Sequence, residues 1–182
     1  MKYQINYENA MSNHGNWDRI CRVTERASAG ESLVIGFLGG SITMGSLSST
    51  PQTCYAYHVY EWWCRTFPNA KFSYINAGIG ATDSQFGCAR AESDLLRYEP
   101  DFVVVDFSVN DESTEHFLET YEGVIRKLYY AEKKPAVMLL HNVYYHDGSN
   151  AQLQHAKIAR HYDIPAVSMQ SSIYPELLAG RI

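Results

Sequence analysis

Three short stretches hold residue types that can carry out acyl transfer. The first is GGSIT, where Ser41 follows Gly39 and Gly40. The second is NAGIGAT at 76–82, with Gly80 among small neighbours. The third is SVND at 108–111, with Asn110 as its third residue. Acyl transfer needs a nucleophile, and donors aimed at the oxyanion that develops on the carbonyl. Ser41 can supply a hydroxyl and its own N–H, Gly80 a second backbone N–H, and Asn110 a side-chain amide. Each also has a plainer reading: Ser41 in a Ser/Thr-rich loop, Gly80 as a turn glycine, Asn110 as a helix cap. Their order on three consecutive strand ends favours the chemical reading.

The elements that must position these residues follow from the spacing of apolar side chains. Short apolar runs closed by glycine or polar residues predict strands at 33–38, 72–75, 102–107, 136–140 and 164–168. Between and around them, helical spacing predicts helices at 16–28, 54–67, 84–98, 114–131, 151–161 and 171–178. In the 84–98 helix the expected inward face is Phe86, Ala89, Ser93 and Leu96. Trp62 and Trp63 read as packing residues. Residues 1–15 are polar and without pattern, an arm laid over the surface. Strands alternating with long helices predict a three-layer α/β/α sandwich with a five-stranded parallel sheet, flavodoxin-like, in one domain over 1–182. In such sheets, functional groups collect at the carboxyl ends of the strands.

Bulk properties narrow the function. The chain has 182 residues, 46% hydrophobic and 19% charged, with a formal net charge of −5. With no basic field, nucleic acid is not expected as a partner. No run approaches the roughly 18 apolar residues of a membrane span. The start, MKYQINYENAM, has no apolar signal-like core, so the expected location is the cytoplasm. Cys21, Cys54, Cys64 and Cys88 lack metal-ligand spacing, so no metal and no cofactor are expected.

Taken together, the three stretches resemble the motifs of the SGNH hydrolases, also called GDSL-type esterases and lipases. Gly39-Gly40-Ser41-Ile42 is similar to the family's first block, Asn76 to Ala81 to its second, and Ser108-Val109-Asn110-Asp111 to its third. The resemblance covers roughly 32–167. It implies hydrolysis of a carboxylic ester through an acyl-enzyme on Ser41, with Gly80 and Asn110 holding the oxyanion. The alcohol is a small molecule or a carbohydrate. Two positions depart from the pattern: Gly40 replaces the usual Asp, removing a side chain that braces the turn, and Ser108 replaces a Gly.

A larger departure concerns the base. The family's fourth motif, Asp-x-x-His-Pro, is not found, and no His follows His161. The resemblance then implies that a C-terminal element is missing after 182. Losing its helix would leave part of the sheet uncovered and favour self-association. His141 and His146, with Asp147, are candidate substitutes near the fourth strand's exit, whereas His155 and His161 are expected to face solvent. Val143-Tyr144-Tyr145 suits stacking on a sugar, lining an acyl pocket, or a Tyr-rich surface loop. Two other functions stay open: a flavodoxin-like phosphate-cradling module built on the Ser/Thr-rich loop, and a non-catalytic SGNH-like binding protein.

Overall fold

The computed structural model describes Ile5 and residues 7–182. The expected arm at 1–15 falls partly on residues 1–4 and 6, which lie outside the described residues. In chain order the elements are α1 (Tyr7–Ala10), β1 (Met11–Asn13), α2 (Asp18–Ser28), β2 (Ser32–Gly39), α3 (Ser41–Met44), α4 (Tyr55–Thr66), β3 (Lys71–Gly78), α5 (Ser84–Asp94), β4 (Phe102–Asp106), α6 (Glu115–Tyr129), β5 (Ala136–His141), α7 (Gln152–His161), β6 (Ala166–Ser168), α8 (Met169–Ser172) and α9 (Tyr174–Leu178). Single 3₁₀ turns at Pro51–Thr53 and Leu96–Tyr98 complete them.

The five expected strands form a parallel sheet, and a sixth joins it. Its order is β1-β6-β5-β4-β2-β3. The correction lies in the arm, where Met11–Asn13 adds an antiparallel strand to the otherwise open edge of β6. Three residues are too few to show a period of two in the sequence. Tertiary contacts hold them instead. Ser12 Oγ donates to the Ala166 carbonyl, and the Asn13 amide donates to the carbonyls of Ala159 and Ile164 at 3.1 and 2.8 Å.

Alternate residues of the buried strands feed two cores. Leu33, Ile35 and Phe37 of β2, with Phe102 and Val104 of β4, pack under Ile20, Val23 and Ala27 of α2 and Ala56 and Trp63 of α4. Leu38, Val103 and Val105 face Ala91 of α5, Val124 and Leu128 of α6, and Ile158 and Ala159 of α7. The first face is therefore covered by two helices. An apolar groove of about 380 Å³ runs between them, lined by Trp17, Ile20, Val59, Trp62, Phe102 and Met138. Trp63 is core, whereas Trp62 is 50% exposed.

Helix α5 differs from expectation. It ends at Asp94, and its buried face is Ser84, Gly87, Arg90 and Ala91 rather than the one containing Phe86, which is 51% exposed. The reason is close packing at Gly87. A Cβ there would stand 2.4 Å from the tip of the Phe107 ring, so only glycine lets this helix lie on β4's exit. The last expected helix is broken into α8 and α9.

Trp63 stacks on Phe67 at 5.5 Å and meets Phe72 and Phe102 at 6.0 and 5.3 Å. Trp63→Ala should cost ~3–5 kcal/mol, the usual range for deleting a buried aromatic side chain. A urea titration checks this through a lower midpoint with unchanged slope.

Candidate active site

The register of three strands sets the site. Gly39 at the end of β2 pairs with Gly78 of β3 on one side and with Asp106 of β4 on the other. Ser41, Gly80 and Asn110 then follow these aligned residues in their loops, on one rim of the sheet. Ser41 opens the four-residue helix α3, which stops at Gly45 in the left-handed region at φ 96°. The turn is packed against the strand ends at backbone distance. At Gly39 a Cβ would lie 2.2 Å from Thr43 Oγ1 and 2.4 Å from the Asp106 carbonyl oxygen. At Gly78 it would lie 2.3 Å from the Met44 nitrogen. Buried Thr43 bonds the Tyr55 hydroxyl at 2.8 Å. Asn76 staples the turn to β3: its amide donates to the Thr43 carbonyl at 2.8 Å while its oxygen accepts the Gly78 N–H at 2.9 Å.

The expected oxyanion donors are free. Among the described residues, the N–H groups of Ser41 and Gly80 and the side-chain amide of Asn110 have no acceptor. For Ser41 this follows from its place as the first residue of a helix, where the N–H has no carbonyl one turn back. Asn110 does not cap the next helix; Thr114 does, accepting the Phe117 N–H. Nor is Gly80 a left-handed turn residue, since that conformation falls on Ala81 at φ 57°. Two contacts bracket the serine. Gly80 faces the Met44 methyl, 3.4 Å from where its Cβ would be, and Asn110 Oδ1 lies 2.2 Å from where a Cβ of Gly40 would be. Gly40 is thus no mere loss of a brace. Its missing side chain is the space that Asn110 occupies.

Behind the rim lies a buried polar layer that the sequence did not announce. Asp111, next to Asn110, accepts the Ser84 N–H at 2.8 Å and the His155 Nε2–H at 2.9 Å. It therefore ties the segment following Gly80 to the loop bearing Asn110. His155 corrects the expectation of a solvent-facing side chain. It is fully buried and stacks on Tyr121, with centroids 3.6 Å apart and planes 3° apart. Burial lowers its pKa despite Asp111, which favours the neutral ring. Asp106 accepts from Asn142 Nδ2 at 2.7 Å and from Ser108 Oγ at 3.2 Å, and burial pushes its pKa up to about 6. Ser108, the other departure from the motif, thereby has a use that a glycine cannot fill.

The candidate bases do not reach Ser41. His141 is buried at the end of β5, with Nδ1 3.3 Å from Ser12 Oγ and its ring 6.0 Å from that of His155. Burial, and then His155, lowers its pKa to about 3. A ring so hard to protonate is a poor base. His146 is exposed beside Asp147 at 3.7 Å. Tyr144 and Tyr145 are each half-exposed, and His161 faces solvent as expected. Among the described residues, no histidine bonds Ser41, no three His, Cys, Asp or Glu side chains are grouped to hold a metal, and no helix is long and apolar enough to cross a membrane.

No family model and no curated protein matches the chain. Solved structures do. CEX, a two-domain esterase active on acetylated mannans and co-crystallised with mannopentaose, is 68% identical with a TM-score of 0.98, over 99% of this chain and 49% of that one. The chain thus spans about half the length of this relative, 49%. AlinE4, an SGNH-hydrolase family esterase, superposes with a TM-score of 0.57 at 20% identity, over 74% of this chain and 75% of that one. A variant of Axe2, an acetyl-xylooligosaccharide esterase from Geobacillus Stearmophilus, gives 0.61 at 20% identity, over 81% and 80%. The last two show the shared fold.

Two predictions follow from this geometry. Gly40→Ala pushes Asn110 from its place, so with Ser41 and Asn110 in the roles expected from the sequence, ester cleavage should fall by ~10²–10³, the range for losing one oxyanion donor. Its thermal midpoint should move by only a few degrees, which differential scanning calorimetry reads. The second concerns pH. His141, with its pKa near 3 in the fold against 6.5 unfolded, contributes stability that is complete above pH 6.5 and lost as pH falls towards 3. Asp106, near 6 against an ordinary 3.8, acts oppositely: its cost is full above pH 6 and gone below about 4. Asp106→Asn should therefore stabilise the fold at pH 7 by up to ~3 kcal/mol, at 1.4 kcal/mol per unit. It should also steepen the loss of stability from pH 6 to 4. Urea midpoints across that range test both.

Proposed function

We propose that this chain, a member of the SGNH-hydrolase superfamily, carries the nucleophile and oxyanion hole of an esterase that removes acetyl groups from mannan-type carbohydrate. The observation that carries the reading is the free donor set around Ser41: its own N–H, the Gly80 N–H and the Asn110 amide, on adjacent strand ends. In this reading Ser41 Oγ attacks the acetyl carbonyl as a base takes its proton. The carbonyl oxygen, now negative, gains three hydrogen bonds stronger than those it had as a neutral acceptor. Collapse expels the sugar alcohol and leaves acetyl-Ser41, which water hydrolyses in the same pocket.

The substrate class is supported by the activity of CEX on acetylated mannans at 68% identity. The flavodoxin-like alternative has less support, since α3 is a four-residue turn rather than a long helix facing a phosphate. Because no described histidine reaches Ser41, this reading takes its proton acceptor from outside the described rim, and added imidazole can stand in for it.

The test is acetate release from acetylated manno-oligosaccharides and from an aryl acetate, with and without added imidazole. The expected result is little turnover alone and imidazole-stimulated turnover that Ser41→Ala removes. Asn110→Ala should lower that turnover by ~10²–10³. Turnover insensitive to Ser41→Ala would overturn the nucleophile assignment. Silence even with imidazole would favour a carbohydrate-binding role for the same rim.

A further inference from the structure

Helix α5 carries a buried charge that packing alone does not require. The Arg90 side chain is 6% exposed. Its Nη1 donates to the Ala77 carbonyl at 2.6 Å and its Nη2 to the Gly39 carbonyl at 3.0 Å. Among the described residues its one carboxylate partner is Asp94, a helical turn on at 3.3 Å and 34% exposed. The Nε–H has no acceptor among the described residues. A cation in this setting is expensive to keep, and burial lowers its pKa against the pull of Asp94. An apolar side chain would pack the helix more cheaply.

The two carbonyls explain the choice of residue. Gly39 ends β2 and is followed two residues later by Ser41; Ala77 of β3 is followed three residues later by Gly80. The Gly39 carbonyl also accepts the Ile79 N–H at 3.1 Å, so Ile79, the neighbour of Gly80, hangs on the same oxygen. One planar guanidinium therefore bridges the strand that delivers the nucleophile and the strand that delivers an oxyanion donor. A lysine, with one compact ammonium, lacks the fork that spans both.

We propose that Arg90 is a positioning residue of the oxyanion hole. Its guanidinium fixes the spacing of the Ser41 and Gly80 N–H groups and keeps a positive charge on the protein side of the site where negative charge develops. The proposal rests on Ser41 being the nucleophile, as above.

The test compares wild type, Ser41→Ala, Arg90→Met and Arg90→Lys in the imidazole-assisted acetate assay, together with amide hydrogen exchange. In Arg90→Met, kcat should fall about tenfold or more, below the ~10²–10³ of deleting a donor outright. KM should hold, and sub-denaturing guanidinium should restore part of the rate. Arg90→Lys, which keeps the charge and stem, should lose less, and it carries the test if the methionine variant does not fold. Exchange should quicken at Ile79 while Val103 to Val105 stay protected. An unchanged kcat, or a change in KM alone, would overturn the proposal. If wild type shows no Ser41-dependent cleavage, the nucleophile reading fails, and exchange then decides the bridge: faster exchange at Ile79 alone upholds it. Unchanged exchange, or faster exchange throughout the sheet, overturns it.

Discussion

The site depends on how closely backbone approaches backbone at the end of β2. This strand lies between β3 and β4, so its last residues have strand ends on both sides and a helix turn above. Gly39 admits Thr43 and the Asp106 carbonyl, Gly40 admits Asn110, and Gly78 admits the Met44 backbone. Side chains at these positions would push apart the elements that carry the candidate nucleophile and its donors. The glycines matter here through the missing Cβ rather than through unusual dihedrals, for none of the three has a positive φ.

Close approach leaves polar groups buried, and these must find partners. The chain meets the demand with side chains aimed at specific backbone groups. Asn76 serves the Thr43 carbonyl and the Gly78 N–H, while Asp111 serves the Ser84 N–H and is in turn served by His155. Each contact joins two segments distant in sequence. The rim is thus fixed from behind, where water cannot compete for the hydrogen bonds, while the donors in front stay unpartnered. Such preorganisation lets donors stabilise a developing charge without rearranging first. The layer also explains two departures from the family pattern. Ser108 bonds Asp106, and Gly40 makes room for Asn110.

The same layer makes the fold sensitive to acid. Burial favours the neutral forms of His141 and His155, which acid opposes, whereas Asp106, raised to about 6, partly offsets that loss as it takes up a proton. These groups sit at the exits of β4 and β5 and on α7.

Much of this was legible in the residues themselves. Apolar runs closed by glycine, and helices at a 3.6-residue period, determined the alternating α/β order and hence which strand ends share a rim. Ser41, Gly80 and Asn110 stood out because their types suit one chemistry and because each follows a strand. What the residues could not show is which long-range partners a polar side chain takes. His155 looked solvent-facing because helical spacing gives a face without saying what covers it; only α6 and the Asp111 loop, packed around it, make it interior. Arg90 and Gly87 were hidden likewise, since an inward arginine makes sense only where strand-end carbonyls need donors. The edge strand Met11–Asn13 was too short for any period and forms because β6 offers an open ladder. The sequence by itself determined the elements and the chemistry of the rim, through local periodicity and residue type. The tertiary structure alone decided register, burial and pairing, because these depend on contacts between residues that the chain separates widely.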